Sequence, residues 1–170
     1  LHELVEDALR MSTTGLARHR IDVVREYQPI PPVLVDRHKV LQILINLVNN
    51  AKQAMESRPE GRRILLRVGA GTGGFARLAV TDNGCGIPAE NLARIFSHGF
   101  TTKKTGHGFG LHSGANAAKE MGGSLLVLSN GPGTGATFVL ELPLGVIADS
   151  TSADPGPPDT NSPAPEAICI

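Results

Sequence analysis

The hydrophobic positions up to Ser57 follow two helical repeats, with short extended segments between them. Residues 1–16 place apolar side chains at three- and four-residue steps, which predicts a helix with one buried face. Residues 20–27 predict a strand, and Val33–Val35 predicts a second short strand after three nearby prolines. Asp36 is then suited to cap a long amphipathic helix from Arg37 to about Ser57.

Tight turns join the strands that the remaining pattern predicts. After the turn at Pro59, the predicted elements are strands at Ile64–Val68 and Phe75–Val80, helices at Ala89–Ile95 and Leu111–Met121, and strands at Ser124–Ser129 and Ala136–Leu142. Adjacent strands linked by short turns favour hairpins, so the helices should cover one face of the sheet. The predicted fold class is α+β: a two-layer α/β sandwich with a mixed, mostly antiparallel sheet and about three helices on one face.

We expect one folded domain at residues 1–144, followed by a proline-rich acidic segment at residues 145–170. That segment contains five prolines, four acidic residues and no aromatic residue. It cannot bury enough apolar surface to fold, so we predict a disordered tail or linker. The first residue is Leu1 rather than methionine, which is typical of a fragment of a longer protein.

Composition argues against several classes of function. The 16 basic and 16 acidic side chains give no net charge, and aromatic residues make up only 4% of the chain, so neither charge nor stacking favours nucleic acid. Two cysteines form neither a disulfide framework nor a four-ligand zinc site. No apolar run approaches the roughly 20 residues of a membrane span. We therefore expect a cytoplasmic fragment that contacts neither membrane nor nucleic acid.

Candidate chemistry is concentrated in an irregular segment from Asp82 to Gly110. A loop of roughly thirty residues inside a compact domain is uncommon unless it is functional. Asp82 follows a strand and can accept a hydrogen bond from an exocyclic amine. The alternating glycines Gly84 and Gly86 allow the backbone to approach a flat ring closely.

Two further clusters in this segment are suited to phosphate. Thr101, Thr102 and Lys103 supply hydrogen-bond donors for phosphate oxygens. The glycine-rich run from Gly106 to Leu111 opens a helix, where free backbone N–H groups form an anion site. Such a glycine run also occurs in loops without function, so it is weak evidence alone.

The long helix carries asparagines in its apolar stripe. Asn46 and Asn50 are four residues apart and share a helix face. An asparagine oxygen can bind Mg²⁺ while nucleotide phosphates supply other ligands. The alternative is that these are ordinary polar residues at the edge of a helix.

Together the four clusters have the order and spacing of the GHKL, or Bergerat, ATP-binding fold, and residues 1 to about 144 resemble the catalytic domain of two-component sensor histidine kinases. The similar motifs are the N box (Asn46–Ala51), the G1 box (Asp82–Gly86), the F box (Phe96–Phe100), the G2 box (Gly106–Leu111) and a closing strand at Gly133–Phe138. The F box departs from the family pattern, since Ser97-His98-Gly99 replaces its usual acid and proline.

The resemblance implies a role for each matching residue. Asp82 would bind the adenine amine, Asn50 would bind Mg²⁺, and Asn46 would line the phosphate side. Asn50 and Lys103 are the catalytic candidates. The other cofactor-binding residues implied are Gln53, Gly84, Gly86, Ile87, Phe96, Thr101, Thr102, Gly106, His107, Gly108, Phe109, Gly110, Leu111 and Thr137. Gln53 stands where the family often has a basic residue, which leaves phosphate contact from this helix open.

The function implied is Mg²⁺-dependent ATP binding and transfer of the γ-phosphoryl group to a histidine. That histidine lies on a separate dimerisation domain of the same protein, and the receiver domain of a response regulator is the second implied partner. His2-Glu3-Leu4 leads directly into the ATP-binding fold, so we do not expect His2 to be the acceptor. The alternatives are a GHKL ATPase switch, which needs a glutamate where this chain has Asn46, an anti-sigma-type serine kinase, and a degenerate binding module.

Overall fold

The computed structural model describes residues 1–101 and 108–145. The helices are α1 (His2–Arg18), α2 (Arg37–Ala54), α3 (Ala89–Leu92) and α4 (Gly110–Glu120). The strands are β1 (Asp22–Tyr27), β2 (Arg63–Ala70), β3 (Phe75–Asp82), β4 (Ser124–Leu128) and β5 (Ala136–Pro143). Residues 146–170 lie outside the described residues, so the predicted domain boundary and disordered tail stay predictions.

The strands form one mixed sheet in the order β1-β2-β3-β5-β4. β1 pairs with β2 in parallel, whereas the other neighbours are antiparallel. The pairing places Asp82, at the end of β3, opposite Ala136, at the start of β5. These neighbouring strands therefore bring the last residue of β3 and the first residue of β5 together at one edge of the sheet.

The core lies between one face of this sheet and the helices. Alternate residues of β2, β3 and β5 are buried, including Ile64, Leu78 and Leu140, each with no exposed side-chain surface. The apolar stripe of α2 packs against them, with α1 and α4 on either side. The predicted two-layer α+β sandwich is confirmed.

The start of α2 is fixed by the predicted cap. The Asp36 carboxylate accepts hydrogen bonds from the backbone N–H groups of His38 (3.0 Å) and Lys39 (3.2 Å). These donors have no partner within the helix, so the cap stabilises its first turn by about 1 kcal/mol. The helix therefore begins at Arg37, where the sequence predicts it.

The predicted strand at Val33–Val35 is wrong. The segment joins no strand of the sheet, and Leu34 is 91% exposed. Pro31 and Pro32 lack backbone N–H groups, so the residues leading into this segment cannot form a hydrogen-bonded ladder. The predicted helix at Ala89–Ile95 is also shorter in the structure, where it ends at Leu92. Among the described residues, no helix has the length and apolar character needed to span a membrane.

Candidate functional site

A cavity of about 940 Å³ opens at the sheet edge that carries Asp82. This volume is within the usual range for a bound cofactor of nucleotide size. Its walls come from α2, the segment after β3, the start of α4 and the turn before β5. The lining residues are Asn46, Asn49, Asn50, Gln53, Ala54, Glu56, Asp82, Cys85, Gly86, Ile87, Pro88, Asn91, Ile95, Phe100, Thr101, Gly108, Phe109, Gly110, Leu111, Pro132, Ala136 and Phe138.

Asp82 is the buried charged group of this cavity, with 4% of its surface exposed. Burial raises the pKa of its carboxyl group, and hydrogen bonds from the backbone N–H groups of Gly84 and Ala136 partly oppose that shift. The Gly84 bond is 2.8 Å long. One donor lies in the segment after β3 and the other is the first residue of β5, and together they hold the carboxylate in one orientation. A buried carboxylate held this way can accept a further hydrogen bond from a ligand's amine.

The segment after Asp82 packs closely on the end of α2. The Cys85 N–H donates to the Ala54 carbonyl oxygen at 2.9 Å. A Cβ at Gly84 would lie 2.6 Å from the Ala54 carbonyl carbon, so a larger residue would push the loop away from α2. Gly84 is not among the residues that line the cavity, and it lies in close contact with the end of α2. The resemblance had implied cofactor contact for it.

Gly86 lines the cavity and meets the turn before β5. Its φ angle is +71°, a conformation that favours glycine, and a Cβ there would overlap the carbonyl oxygen of Gly131. The Gly133 N–H donates to the Cys85 carbonyl oxygen at 2.6 Å. The glycine-rich segment after Asp82 and the glycine-rich turn before Ala136 are thus in contact through their backbones.

The α2 wall presents amides rather than a basic side chain. Asn46, Asn50 and Gln53 line the cavity, as the resemblance implies. Lys52 instead lies over α1, since a Cβ added at Gly15 would be 3.4 Å from its Nζ atom. The helix therefore offers neutral oxygens, which suit a hard divalent cation. Gln53 occupies the position where the family often has a basic side chain.

The wall next to Asn46 comes from residues on both sides of segment 102–107, with Gly110 close to the Asn46 side chain. Thr101, Gly108, Phe109, Gly110 and Leu111 line the cavity, whereas Thr102, Lys103, Gly106 and His107 lie outside the described residues. Gly110 is the first residue of α4, whose free N–H groups favour an anion.

Phe96 does not line the cavity. It packs against the hydrophobic core, and its carbonyl oxygen lies 3.0 Å from the His112 Nδ1 atom. Phe100 lines the cavity instead, with the Arg94 guanidinium 5.0 Å from its ring centre. Of the two F-box phenylalanines, the first therefore supports the segment and the second faces the site.

Thr137 lies on the other face of the sheet from the cavity, although the resemblance implies that it binds the cofactor. Its Oγ1 atom is 3.0 Å from the Thr81 Oγ1 atom, on the face without helices. Successive strand residues alternate between faces, so Ala136 and Phe138 line the cavity and Thr137 does not. Thr137 is corrected to a sheet-pairing residue.

Sequence reasoning missed several cavity residues. Ala136 and Phe138 could have been found from the two-residue period of β5 once Asp82 was placed beside them. Pro132, Asn91 and Ile95 carry no local signal, because only the fold brings their segments to the cavity. Cys85 is exposed and also lines the cavity.

The arrangement fits a magnesium nucleotide. A buried acceptor at Asp82 suits the amine of a flat base, and amide oxygens at Asn46 and Asn50 suit a divalent cation. The N-terminus of α4 suits phosphate oxygens. These features lie around one cavity rather than at separate surfaces.

Comparison with known proteins supports this interpretation at the level of sequence. Residues 35–146 match the family described as histidine kinase-, DNA gyrase B- and HSP90-like ATPases. The signal transduction histidine-protein kinase AtoS of Escherichia coli (strain K12) is 33% identical over 152 residues, which cover 89% of this chain and 24% of AtoS. The chain thus spans about a quarter of the length of that curated relative.

Solved structures give the same result. The catalytic domain of histidine kinase ThkA superposes with a TM-score of 0.73 at 29% identity, covering 85% of this chain and 92% of that domain. Full-length ShkA in complex with AMPPNP also gives 0.73, at 28% identity, covering 84% of this chain and 30% of ShkA. A further ThkA structure, with response regulator protein TrrA, gives a TM-score of 0.69 at 28% identity and covers 85% of this chain and 40% of that one.

Proposed function

Because this chain belongs to the family of histidine kinase-, DNA gyrase B- and HSP90-like ATPases, we propose that it is the catalytic ATP-binding domain of a two-component sensor histidine kinase. The single observation that carries the proposal is the buried Asp82 carboxylate at the base of a nucleotide-sized cavity walled by Asn46 and Asn50. The bound AMPPNP in the ShkA structure supports the nucleotide assignment.

In this proposal Asp82 selects the base. Its ionised carboxylate accepts a hydrogen bond from the adenine amine, while Gly84 and Ala136 N–H groups fix its orientation. Gly86 and Ile87 lie against the ring, since both line the cavity. A guanine base would present an oxygen to the carboxylate and would be repelled, which gives preference for adenine.

Asn50 and Asn46 form the metal and phosphate side of the proposed site. Asn50 supplies an amide oxygen for Mg²⁺, and Mg²⁺ would neutralise charge on the phosphates during transfer. Asn46 and the N–H groups at the start of α4 orient the phosphate chain. Lys103, Thr102, Gly106 and His107 are proposed to cover the triphosphate, and Thr101 lines the same side of the cavity.

A kinase is favoured over a hydrolase by the chemistry of Asn46. Hydrolysis in the ATPase members of this fold needs a carboxylate general base one turn before the metal-binding asparagine. Asn46 holds that position and lines the cavity. Because an amide cannot take a proton from water at neutral pH, bound ATP is expected to be retained for transfer.

The proposed reaction moves the γ-phosphoryl group to a histidine on the dimerisation domain of the same protein. The bond from the γ-phosphorus to the β–γ bridging oxygen breaks as a bond to an imidazole nitrogen forms. A response regulator receiver domain is the proposed second partner, and the ThkA structure with TrrA supports it.

The test is transfer of labelled phosphate from γ-labelled ATP. The chain is mixed with a separately produced dimerisation domain from its parent protein, with Mg²⁺ or with EDTA. We expect acid-labile label on that domain with Mg²⁺ only, and none with the Asn50→Ala variant. Release of free phosphate at the same rate with or without the acceptor would show an ATPase instead.

A further inference from the structure

The hydroxyl of Ser129 joins three backbone segments beside the cavity without lining it. Ser129 follows β4 and is part-buried. Its Oγ atom donates to the Gly135 carbonyl oxygen at 2.7 Å and lies 3.0 Å from the Ile87 N–H nitrogen and 3.4 Å from the Gly131 N–H nitrogen. A hydroxyl has one donor and two acceptor positions, so these three partners use its full capacity.

Each of the three partners is next to a residue of the proposed base site or belongs to it. Ile87 lines the cavity, and Gly131 precedes Pro132, which also lines it. Gly135 precedes Ala136, whose N–H group donates to the Asp82 carboxylate. Ser129 therefore ties the segment after β3 to both ends of the turn before β5.

The turn has two hydrogen bonds of its own, from the Thr134 N–H and hydroxyl groups to the Gly131 carbonyl oxygen, at 3.3 Å and 2.8 Å. The Gly133 N–H bond to the Cys85 carbonyl oxygen, at 2.6 Å, is a second tie between the same two segments. Glycines at 131, 133 and 135 all have positive φ angles, so the turn itself does not limit its conformation as other residues would. Ala136 is held on one side by its pairing with Asp82 in the β3–β5 ladder, and Ser129 holds the peptide that carries its N–H group through the Gly135 carbonyl oxygen.

We propose that Ser129 is a positioning residue for adenine recognition, which holds the Ala136 N–H and Ile87 in the geometry that Asp82 needs. This inference rests on the proposed function and adds a specific residue to its base site. Loss of the hydroxyl leaves two N–H groups and a carbonyl without this partner and allows the turn to move. The phosphate side of the cavity, formed by α2 and α4, does not depend on it.

The experiment compares the Ser129→Ala, Ser129→Thr and Ser124→Ala variants by calorimetric titration with adenosine, MgATP and magnesium tripolyphosphate. Ser124 is a matched control, because it starts the same strand and its hydroxyl bonds to Glu141 away from the cavity. Far-UV circular dichroism confirms that each variant is folded at the titration temperature.

We expect Ser129→Ala to weaken the binding of adenosine and of MgATP by the same factor, about tenfold, which corresponds to about 1.4 kcal/mol. Tripolyphosphate affinity should not change. Ser129→Thr and Ser124→Ala should stay within about twofold of the unaltered chain. In an Asp82→Asn background the further loss from Ser129→Ala should disappear, because the two residues act on one contact.

Three results would overturn the proposal: unchanged adenosine affinity in Ser129→Ala, an equal loss for tripolyphosphate, or an equal loss in Ser129→Thr. Failure of the unaltered chain to bind adenosine would instead contradict the proposed function, and this inference with it. The two failures are therefore distinguished by the unaltered chain alone.

Discussion

Replacing Asp82 by asparagine removes a charge from the base of the cavity with almost no change in shape. The carboxylate has two oxygens, and the N–H groups of Gly84 and Ala136 already donate to it. Asparagine has a single acceptor oxygen, for which these two donors and a ligand amine would compete. Its NH₂ group would then face another donor, which is unfavourable.

The expected loss follows from the strength of a charged hydrogen bond. Such a bond contributes about 1.5–3 kcal/mol, so adenosine and MgATP should each bind roughly tenfold more weakly, or worse. Isothermal titration calorimetry measures both ligands. Asp22→Asn is the matched control, because Asp22 is an exposed residue of β1 and does not line the cavity. Unchanged affinity in Asp82→Asn would refute the assignment of Asp82 to the base.

The same substitution should change how the stability of the empty domain depends on pH. Burial raises the pKa of Asp82 above its ordinary value of 3.8, so the folded chain holds this proton more tightly than the unfolded chain. Stability contributed by Asp82 is therefore full below that value and falls as pH rises through the raised pKa. The asparagine side chain cannot ionise, so the thermal midpoint of Asp82→Asn relative to the unaltered chain should rise across that window. A midpoint difference that falls instead would show that the carboxylate stabilises the fold.

Three further predictions concern the metal, the turn and the core. Asn50→Ala should weaken MgATP while leaving adenosine affinity nearly unchanged in calorimetry, and equal losses would place Asn50 in the base site or the fold. Gly135→Ala should lower the free energy of unfolding, measured with urea, by about 1–3 kcal/mol, because φ is +74° and the new Cβ would overlap the Asp82 carbonyl oxygen. Leu140→Ala should lower the free energy of unfolding by about 2–5 kcal/mol, since Leu140 is fully buried. Leu128→Ala is the control and should lower it by less than about 0.5 kcal/mol, because that side chain is 60% exposed. Similar losses in the two variants would contradict the assigned core.

Much of the sheet could be predicted because burial on one face imposes a two-residue period. Ile64, Leu66 and Val68 alternate with exposed or half-buried residues, and all three are buried. Val33–Val35 has equally favourable residue types but no strand beside it. Whether a partner strand exists depends on distant parts of the chain, so local pattern could not exclude it.

The candidate site shows the same division between local and distant information. Asp82, Asn50 and Gly86 belong to compact motifs whose residue types indicate their chemistry, and all three line one cavity. Thr137 was misplaced because its direction depends on the pairing of β5 with β3, which sets Ala136 opposite Asp82. The close approach of Gly84 to α2 could not be predicted, because the two segments are separated along the chain and only the fold brings them together.

The central claim is that this cavity binds ATP with its base at Asp82 and its metal at Asn50. A crystal structure of the chain grown with Mg²⁺ and a non-hydrolysable ATP analogue tests it most directly. We predict the exocyclic amine of adenine within hydrogen-bond distance of the Asp82 carboxylate and a magnesium ion coordinated by the Asn50 side-chain oxygen. A nucleotide bound elsewhere, or bound here with its base away from Asp82, would contradict the account.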